Sequence, residues 1–135
     1  MHYHDLAGMQ YVTANTFTNI LADESVFSAK DALTIIEKRA ADLINIKLMK
    51  TGGIHQAQKI CHLAEANDIP CMIGCMLETK ISVSAVAHFA ASQKNITMVD
   101  LDGPSLCLKD PITGGPDFDN ARITMTDAVG LGFSI

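Results

Sequence analysis

Lys47 lies in the run Leu43-Ile44-Asn45-Ile46-Lys47-Leu48-Met49, where only Asn45 interrupts apolar neighbours. An ammonium turned inward from such a strand loses water, and desolvation drives its pKa toward neutrality, where a lysine can take up a proton from carbon. A lysine at a strand end can also snorkel to solvent, so the face it takes decides its use. Asp23 closes another apolar run, Asn19 to Asp23. Carboxylates at strand ends hold hard cations or ammonium groups, although a lone one also serves as a helix N-cap. Asp100-Leu101-Asp102 places two carboxylates on one face of an extended segment, about 6 to 7 Å apart. Such a pair suits a cation, either a metal ion or a substrate ammonium. Thr51-Gly52-Gly53, ahead of a helix start, is read either as backbone N–H groups offered to an anion or as a tight turn.

These residues need elements to hold them. Strands are expected at Asn19 to Asp23, Leu43 to Met49, Cys71 to Leu77 and Ile96 to Asp102. Between them, apolar residues recur at helical spacing over Ala29 to Ala40, Ile54 to Ala66 and Ile81 to Ala91, with Ser28 and Asp31 placed as a capping pair for the first. A further helix is expected from Asp5 to Thr13. Steps of 24, 28 and 25 residues separate Asp23, Lys47, Cys75 and Asp100. A near-constant step with a helix in each gap indicates consecutive right-handed βα units on a parallel sheet. After Gly103-Pro104 the pattern gives way to turn chemistry, with a short strand expected within Arg122 to Thr126.

A length of 135 residues allows one ordinary domain, whereas a closed (β/α)₈ barrel needs about 250 residues. Four βα units are therefore either a small open sheet or about half a barrel. With period 2, Leu21 and Asp23 share a face, as do Asn45 and Lys47, Cys75 and Leu77, and Asp100 and Asp102. Polar groups on one face near each strand's C-terminal end favour the barrel, because strands of an open doubly wound sheet are apolar on both faces.

Composition narrows the partners. At 48 % hydrophobic and 19 % charged the chain can bury a core, and its net charge of −5 is the wrong sign for nucleic acid or an anionic bilayer. No apolar run reaches the roughly 18 residues of a membrane span, and the start lacks a basic then apolar leader, so a cytoplasmic location is expected. Four cysteines without a Cys-x-x-Cys pair read as reduced thiols, with Cys71 and Cys75 both turned inward as packing groups. His2-x-His4 has the spacing of a metal pair on a strand, a weak signal so near a terminus, and the helix-face pair His55 and His62 reads as solvated or capping residues.

Ala22-Asp23-Glu24-Ser25, Asn45-Ile46-Lys47-Leu48-Met49-Lys50-Thr51-Gly52-Gly53, Gly74-Cys75-Met76-Leu77-Glu78-Thr79-Lys80 and Val99-Asp100-Leu101-Asp102-Gly103-Pro104 together closely resemble the C-terminal half of dipeptide epimerases. These are the L-Ala-D/L-Glu epimerases of the muconate-lactonizing, mandelate racemase branch of the enolase superfamily. The resemblance implies the C-terminal half of a modified (β/α)₇β barrel over residues 1–104, and over 105–135 a tail that returns to a capping domain. It also implies Mg²⁺, with Asp23 as the third metal ligand and Lys47 as the second of two lysines that exchange the α-proton through a metal-stabilised enediolate. Asp100 and Asp102 would bind the free ammonium of a dipeptide such as L-Ala-L-Glu. Cys75 and Leu77 would stand at substrate-contacting positions, Cys75 where members often have Ser.

The family's first lysine and first two metal carboxylates have no counterpart in this sequence. The chain alone is thus expected to be inactive and to pair with the missing N-terminal half or with a second copy, as a homo-oligomer. Asp100-x-Asp102 argues against a muconate cycloisomerase or a succinylbenzoate synthase, whose substrates carry no ammonium. A Schiff-base aldolase using Lys47, and a non-catalytic assembly module, are the readings from other classes.

Overall fold

The computed structural model describes residues 1–134. Helix α1 (Leu6–Ala14) precedes an alternation of β1 (Leu21–Ala22), α2 (Ala29–Lys38), β2 (Leu43–Ile46), α3 (Leu48–Thr51), α4 (Ile54–Glu65), β3 (Cys71–Gly74), α5 (Lys80–Ser92) and β4 (Ile96–Asp100). The four strands form one parallel sheet in the order β1-β2-β3-β4, as their spacing in the sequence implies. Consecutive order with a helix in every gap is what right-handed βα units produce on one wall of a barrel.

Pairing fixes the faces. Ile44 stands opposite Cys71 and Ile46 opposite Ile73; all four are fully buried against the helices, in a cluster with Ala22, Ile35, Ala57, Ile60 and Val83. The alternate residues Asn45, Met72 and Met98 lie in line on the other face, which is the concave interior. β1 and β4 are the outer strands, and β4 is exposed along most of its length.

Local chemistry sets the boundaries. The Ser28 hydroxyl accepts from the Asp31 N–H at 3.2 Å, and Asp31 in turn accepts from the Phe27 N–H at 3.1 Å, so the expected capping pair starts α2. α2 ends on Arg39 in the left-handed conformation. The tail is tied to the body: Asp110 accepts from the Lys80 N–H at 2.9 Å at the start of α5, and Pro116 is fully buried. Beyond it lie the pair β5 (Thr113–Gly114) with β8 (Phe133–Ser134) and the hairpin β6 (Asp117–Asp119) with β7 (Arg122–Thr124), which contains the strand expected near Arg122.

All four strands stop sooner than their runs suggest. β1 ends at Ala22, short of Asp23. β4 ends at Asp100, so that Asp102 turns helical and leaves the extended face expected for Asp100 and Asp102. The two inner strands end by identifiable local chemistry. β2 ends at Ile46, and Lys47 to Thr51 turn into α3 instead of continuing extended. Gly52 and Gly53, both at positive φ, let their N–H groups donate to Leu48 O and close that turn. β3 ends at Gly74 because the Met76 N–H donates to the buried Glu78 carboxylate at 2.7 Å and leaves the ladder. Cys71 also departs from the sequence reading. It faces outward, in line with Ile44, with Asn95 Nδ2 3.6 Å from its sulfur; the contact with Cys61 of α4 and then burial push its thiol pKa up.

Replacing Ile73, buried between β2, β4 and the helices, by Ala is expected to cost about 2 to 5 kcal/mol of unfolding free energy. Urea denaturation of the two chains measures this; a loss below about 1 kcal/mol would show that the sheet–helix layer is not the core.

Candidate active site

The C-terminal ends of β1 and β2 bring four charged side chains together. Lys47, the last extended residue before α3, donates to Asp23 Oδ2 at 2.8 Å and to Glu24 Oε1 at 3.2 Å. Lys50, one turn further along α3, donates to Asp23 Oδ1 at 2.6 Å. One carboxylate therefore accepts two ammonium groups, one on each oxygen. Lys47 is 12 % exposed, Lys50 4 % and Asp23 30 %, so the cluster opens to solvent on the carboxylate side.

The electrostatics differ from what the sequence suggests. Burial pulls the Lys47 pKa down, but hydrogen bonds and charge from Asp23 and Glu24 outweigh it and hold the ammonium above its ordinary value. The expectation that Lys47 approaches neutrality is therefore not met, because a strand-end carboxylate sits against it. Lys50 is the lysine shifted down: its deeper burial prevails over the same carboxylate. Asp23 is lowered, since its two lysine partners overcome the desolvation that would raise it.

Other candidate residues distribute around this pair. Gly74 of β3 lies beside it on the concave face; a Cβ there would stand 2.9 Å from Asn45 Oδ1 and 3.2 Å from Lys47 Cε. Glycine is what lets the Lys47 stem cross β3. Asp100 pairs with Gly74 in register, so it shares the rim two strands from Lys47, roughly 10 Å across the sheet. Asp100 and Asp102 are both exposed and line an open cleft of about 400 Å³ with Ser105, Phe118 and Asn120.

Cys75 and Leu77 are not a shared strand face, because β3 has already ended. Cys75 is half-buried against the core, where desolvation raises its pKa, and Leu77 is 72 % exposed. Gly52 and Gly53 spend their N–H groups within the α3 turn, which supports the turn reading of Thr51-Gly52-Gly53 over the anion site. Lys50 escaped the sequence reading, although the Lys-x-x-Lys spacing places it one helical turn from Lys47 once α3 forms.

Mg²⁺ takes oxygen ligands in octahedral geometry, and one Asp supplies too few. Among the described residues no group of three His, Cys, Asp or Glu is arranged for a metal ion, and Asp23, whose two oxygens each hold one ammonium and keep a further lone pair, supplies at most a part of a ligand set. The residues of this chain by themselves do not fit a Mg²⁺ site.

The whole chain, residues 1–135, matches the model of the enolase C-terminal domain-like family. The chain belongs to that family. It is 56 % identical over 128 residues to the L-Ala-D/L-Glu epimerase of Clostridium acetobutylicum, covering 95 % of this chain and 36 % of that protein. Among solved structures, the substrate-liganded complex of the L-Ala-D/L-Glu epimerase from Bacillus subtilis superposes with a TM-score of 0.95 at 49 % identity, over 98 % of this chain and 37 % of that one. The Enterococcus faecalis dipeptide epimerase complexed with Mg and the dipeptide L-Leu-L-Tyr gives 0.94 at 48 % identity, over 100 % and 39 %. The chain thus spans little more than a third of the length of these relatives, and its enolase-family sheet is part of a barrel.

The lowered Asp23 pKa has a consequence for stability. A carboxylate with a depressed folded-state pKa adds stability above its unfolded value, and that increment is lost as pH falls through the folded value. Wild-type protein is expected to lose it below about pH 4, whereas Asp23→Asn has no such increment to lose. Urea midpoints from pH 6 to pH 2 measure both; identical acid limbs would show that the Asp23 pairing does not contribute.

Proposed function

We propose that this chain supplies the C-terminal four strands of a dipeptide epimerase barrel, with Lys47 exchanging the α-proton of the second residue of a dipeptide such as L-Ala-L-Glu. The observation that carries the reading is the Lys47–Asp23 contact at the C-terminal rim, the end of a barrel where catalytic groups gather. Lys47 serves one face of the α-carbon, delivering a proton to the carbanionic carbon in one direction of epimerisation and removing it in the reverse. A second lysine on the opposite wall, outside this chain, takes the proton from the other face. Asp100 and Asp102 hold the substrate's free ammonium, which fixes the α-carbon against Lys47. Cys75 and Leu77 border the substrate from the β3 side.

Mg²⁺ belongs to the assembled protein, where Asp23 would be one of several carboxylate ligands and the ion would supply positive charge to the substrate carboxylate. Residues 105–135 form the segment that reaches the capping domain. The chain alone lacks the second lysine and the other ligands, and is inactive in the cytoplasm or in vitro until joined to an upstream half. Until then the outer edges of β1 and β4 and the exposed length of β4 favour association with a second copy. Sedimentation of the isolated chain is expected to show a dimer or larger species; a stable folded monomer would contradict that part of the reading.

Activity is tested by grafting the chain in place of the equivalent segment of the Bacillus subtilis epimerase and following deuterium uptake into L-Ala-L-Glu with Mg²⁺. Exchange is expected in the chimera and absent from the isolated chain. Lys47→Met is expected to reduce it by about 10²-fold or more, the usual contribution of a positioned acid or base. Asp100→Asn with Asp102→Asn should raise KM chiefly. A folded, Mg²⁺-loaded chimera without exchange would overturn the assignment. Formation of a borohydride-reducible adduct on Lys47 with a carbonyl compound would instead support the aldolase reading.

A further inference from the structure

Lys50 is more completely engaged than any other lysine at the rim. Its ammonium donates to Asp23 Oδ1 and to the Asp23 carbonyl oxygen, each at 2.6 Å, and to the Asn45 carbonyl oxygen at 3.2 Å. The Phe27 ring lies 5.8 Å from it on one flank. An ammonium has three donors, and here three acceptors use them. Two of those acceptors belong to one residue, its main chain and its side chain, so Lys50 fixes Asp23 at both ends.

That double hold constrains the residue Lys47 leans on. The terminal torsion of an aspartate is broad and weakly determined by itself, and Asp23 sits at a strand end with its carboxylate open to water. Left alone, the carboxylate could swing, take both oxygens into solvent or offer either to Lys47. With Oδ1 and the backbone carbonyl of the same residue held by one buried ammonium, the carboxylate is oriented with Oδ2 turned to Lys47. Lys50 is itself fixed, because α3 is closed at its C-terminal end by Gly52 and Gly53 and the side chain is almost wholly buried.

We propose that Lys50 is a positioning residue for the Lys47–Asp23 pair: it locks the Asp23 carboxylate so that a single oxygen is presented to Lys47, and thereby sets where the Lys47 ammonium stands. The proposal rests on reading Lys47 as the proton carrier, but it concerns geometry and is read without turnover. Lys50 touches no substrate; it acts through Asp23. A merely structural tie between α3 and the strand ends would affect stability alone, whereas a positioning role also changes the behaviour of a second side chain that Lys50 does not contact.

The test is ammonium-detected NMR on the 135-residue chain with ¹⁵N-labelled lysine, the Lys47 and Lys50 signals being assigned from Lys47→Met and Lys50→Met. In the wild type Lys47 is expected to give a slowly exchanging ammonium signal, with a scalar coupling through the hydrogen bond to the Asp23 carboxyl carbon. In folded Lys50→Met, whose side chain fills the same space without the charge, that coupling is expected to vanish. The Lys47 ammonium should also exchange with water about tenfold faster, as expected when a charge-assisted hydrogen bond is lost. Retention of the coupling, with an unchanged exchange rate, would reduce Lys50 to a structural tie and overturn the proposal. Should Lys50→Met fail to fold, Lys50→Gln, which keeps a neutral donor, is read by the same criterion. Loss of the coupling in the variant, together with no deuterium exchange in the grafted epimerase, would leave the positioning intact and place the fault with the proposed activity.

Discussion

A carboxylate that accepts two ammonium groups is an unusual object at the surface of a small sheet. Asp23 gives one oxygen to Lys47 and the other to Lys50, and Glu24 adds a second negative partner for Lys47. Each lysine has given up water to reach this position, and the shared anion is what offsets that cost. The two lysines then part ways. The shallower one is held as a firm cation, and the deeper one is shifted down by burial. Remove Asp23 and Lys50 keeps only backbone carbonyl acceptors for its buried ammonium, while Lys47 is left with Glu24 alone as its counter-charge.

The rest of the fold can be understood as the frame for this arrangement. Buried aliphatic residues on one face of β2 and β3, interlocked with α2 and α4, fix the strand register. That register leaves Asn45, Lys47 and Gly74 on the concave side. Strands only a few residues long deliver the chain to the rim, and the residues just beyond their ends form the charged cluster. Gly74 shows how tightly sequence and site are coupled. A side chain at that position would displace the Asn45 amide and crowd the stem of Lys47, so a backbone choice on β3 bears on where the lysine on β2 lies.

Much of this was legible before any coordinates. The spacing between acidic and basic strand ends, with a helix in each gap, gave the parallel sheet and its order; Ser28 and Asp31 marked a helix start; Asp23 and Lys47 were found by charge in apolar company. What was not legible has physical causes. Apolar runs do not reveal where a strand stops, because the signals that end β2 and β3 are paired glycines closing a turn and a buried Glu78 accepting a backbone N–H. Cys71 looked inward only on the assumption that β3 continued to Leu77. The direction of the Lys47 pKa was missed because desolvation can be read from neighbours in sequence, whereas the opposing carboxylate arrives through the fold. Lys50 gives no signal in sequence, because the apolar run through Leu48 and Met49 reads as strand and only the α3 turn brings it back to Asp23.

Membership of the enolase C-terminal domain-like family, and likeness to dipeptide epimerases over little more than a third of their length, place this sheet in a larger barrel. The account of the site itself depends on one physical coupling, that between Asp23 and Lys47. A double-mutant cycle with Asp23→Asn, Lys47→Met and the combined variant measures it by urea denaturation at neutral pH. A coupling free energy of about 1 kcal/mol or more is expected for a charge-assisted hydrogen bond in a partly screened position. Strict additivity of the two substitutions, within about 0.3 kcal/mol, would contradict the account.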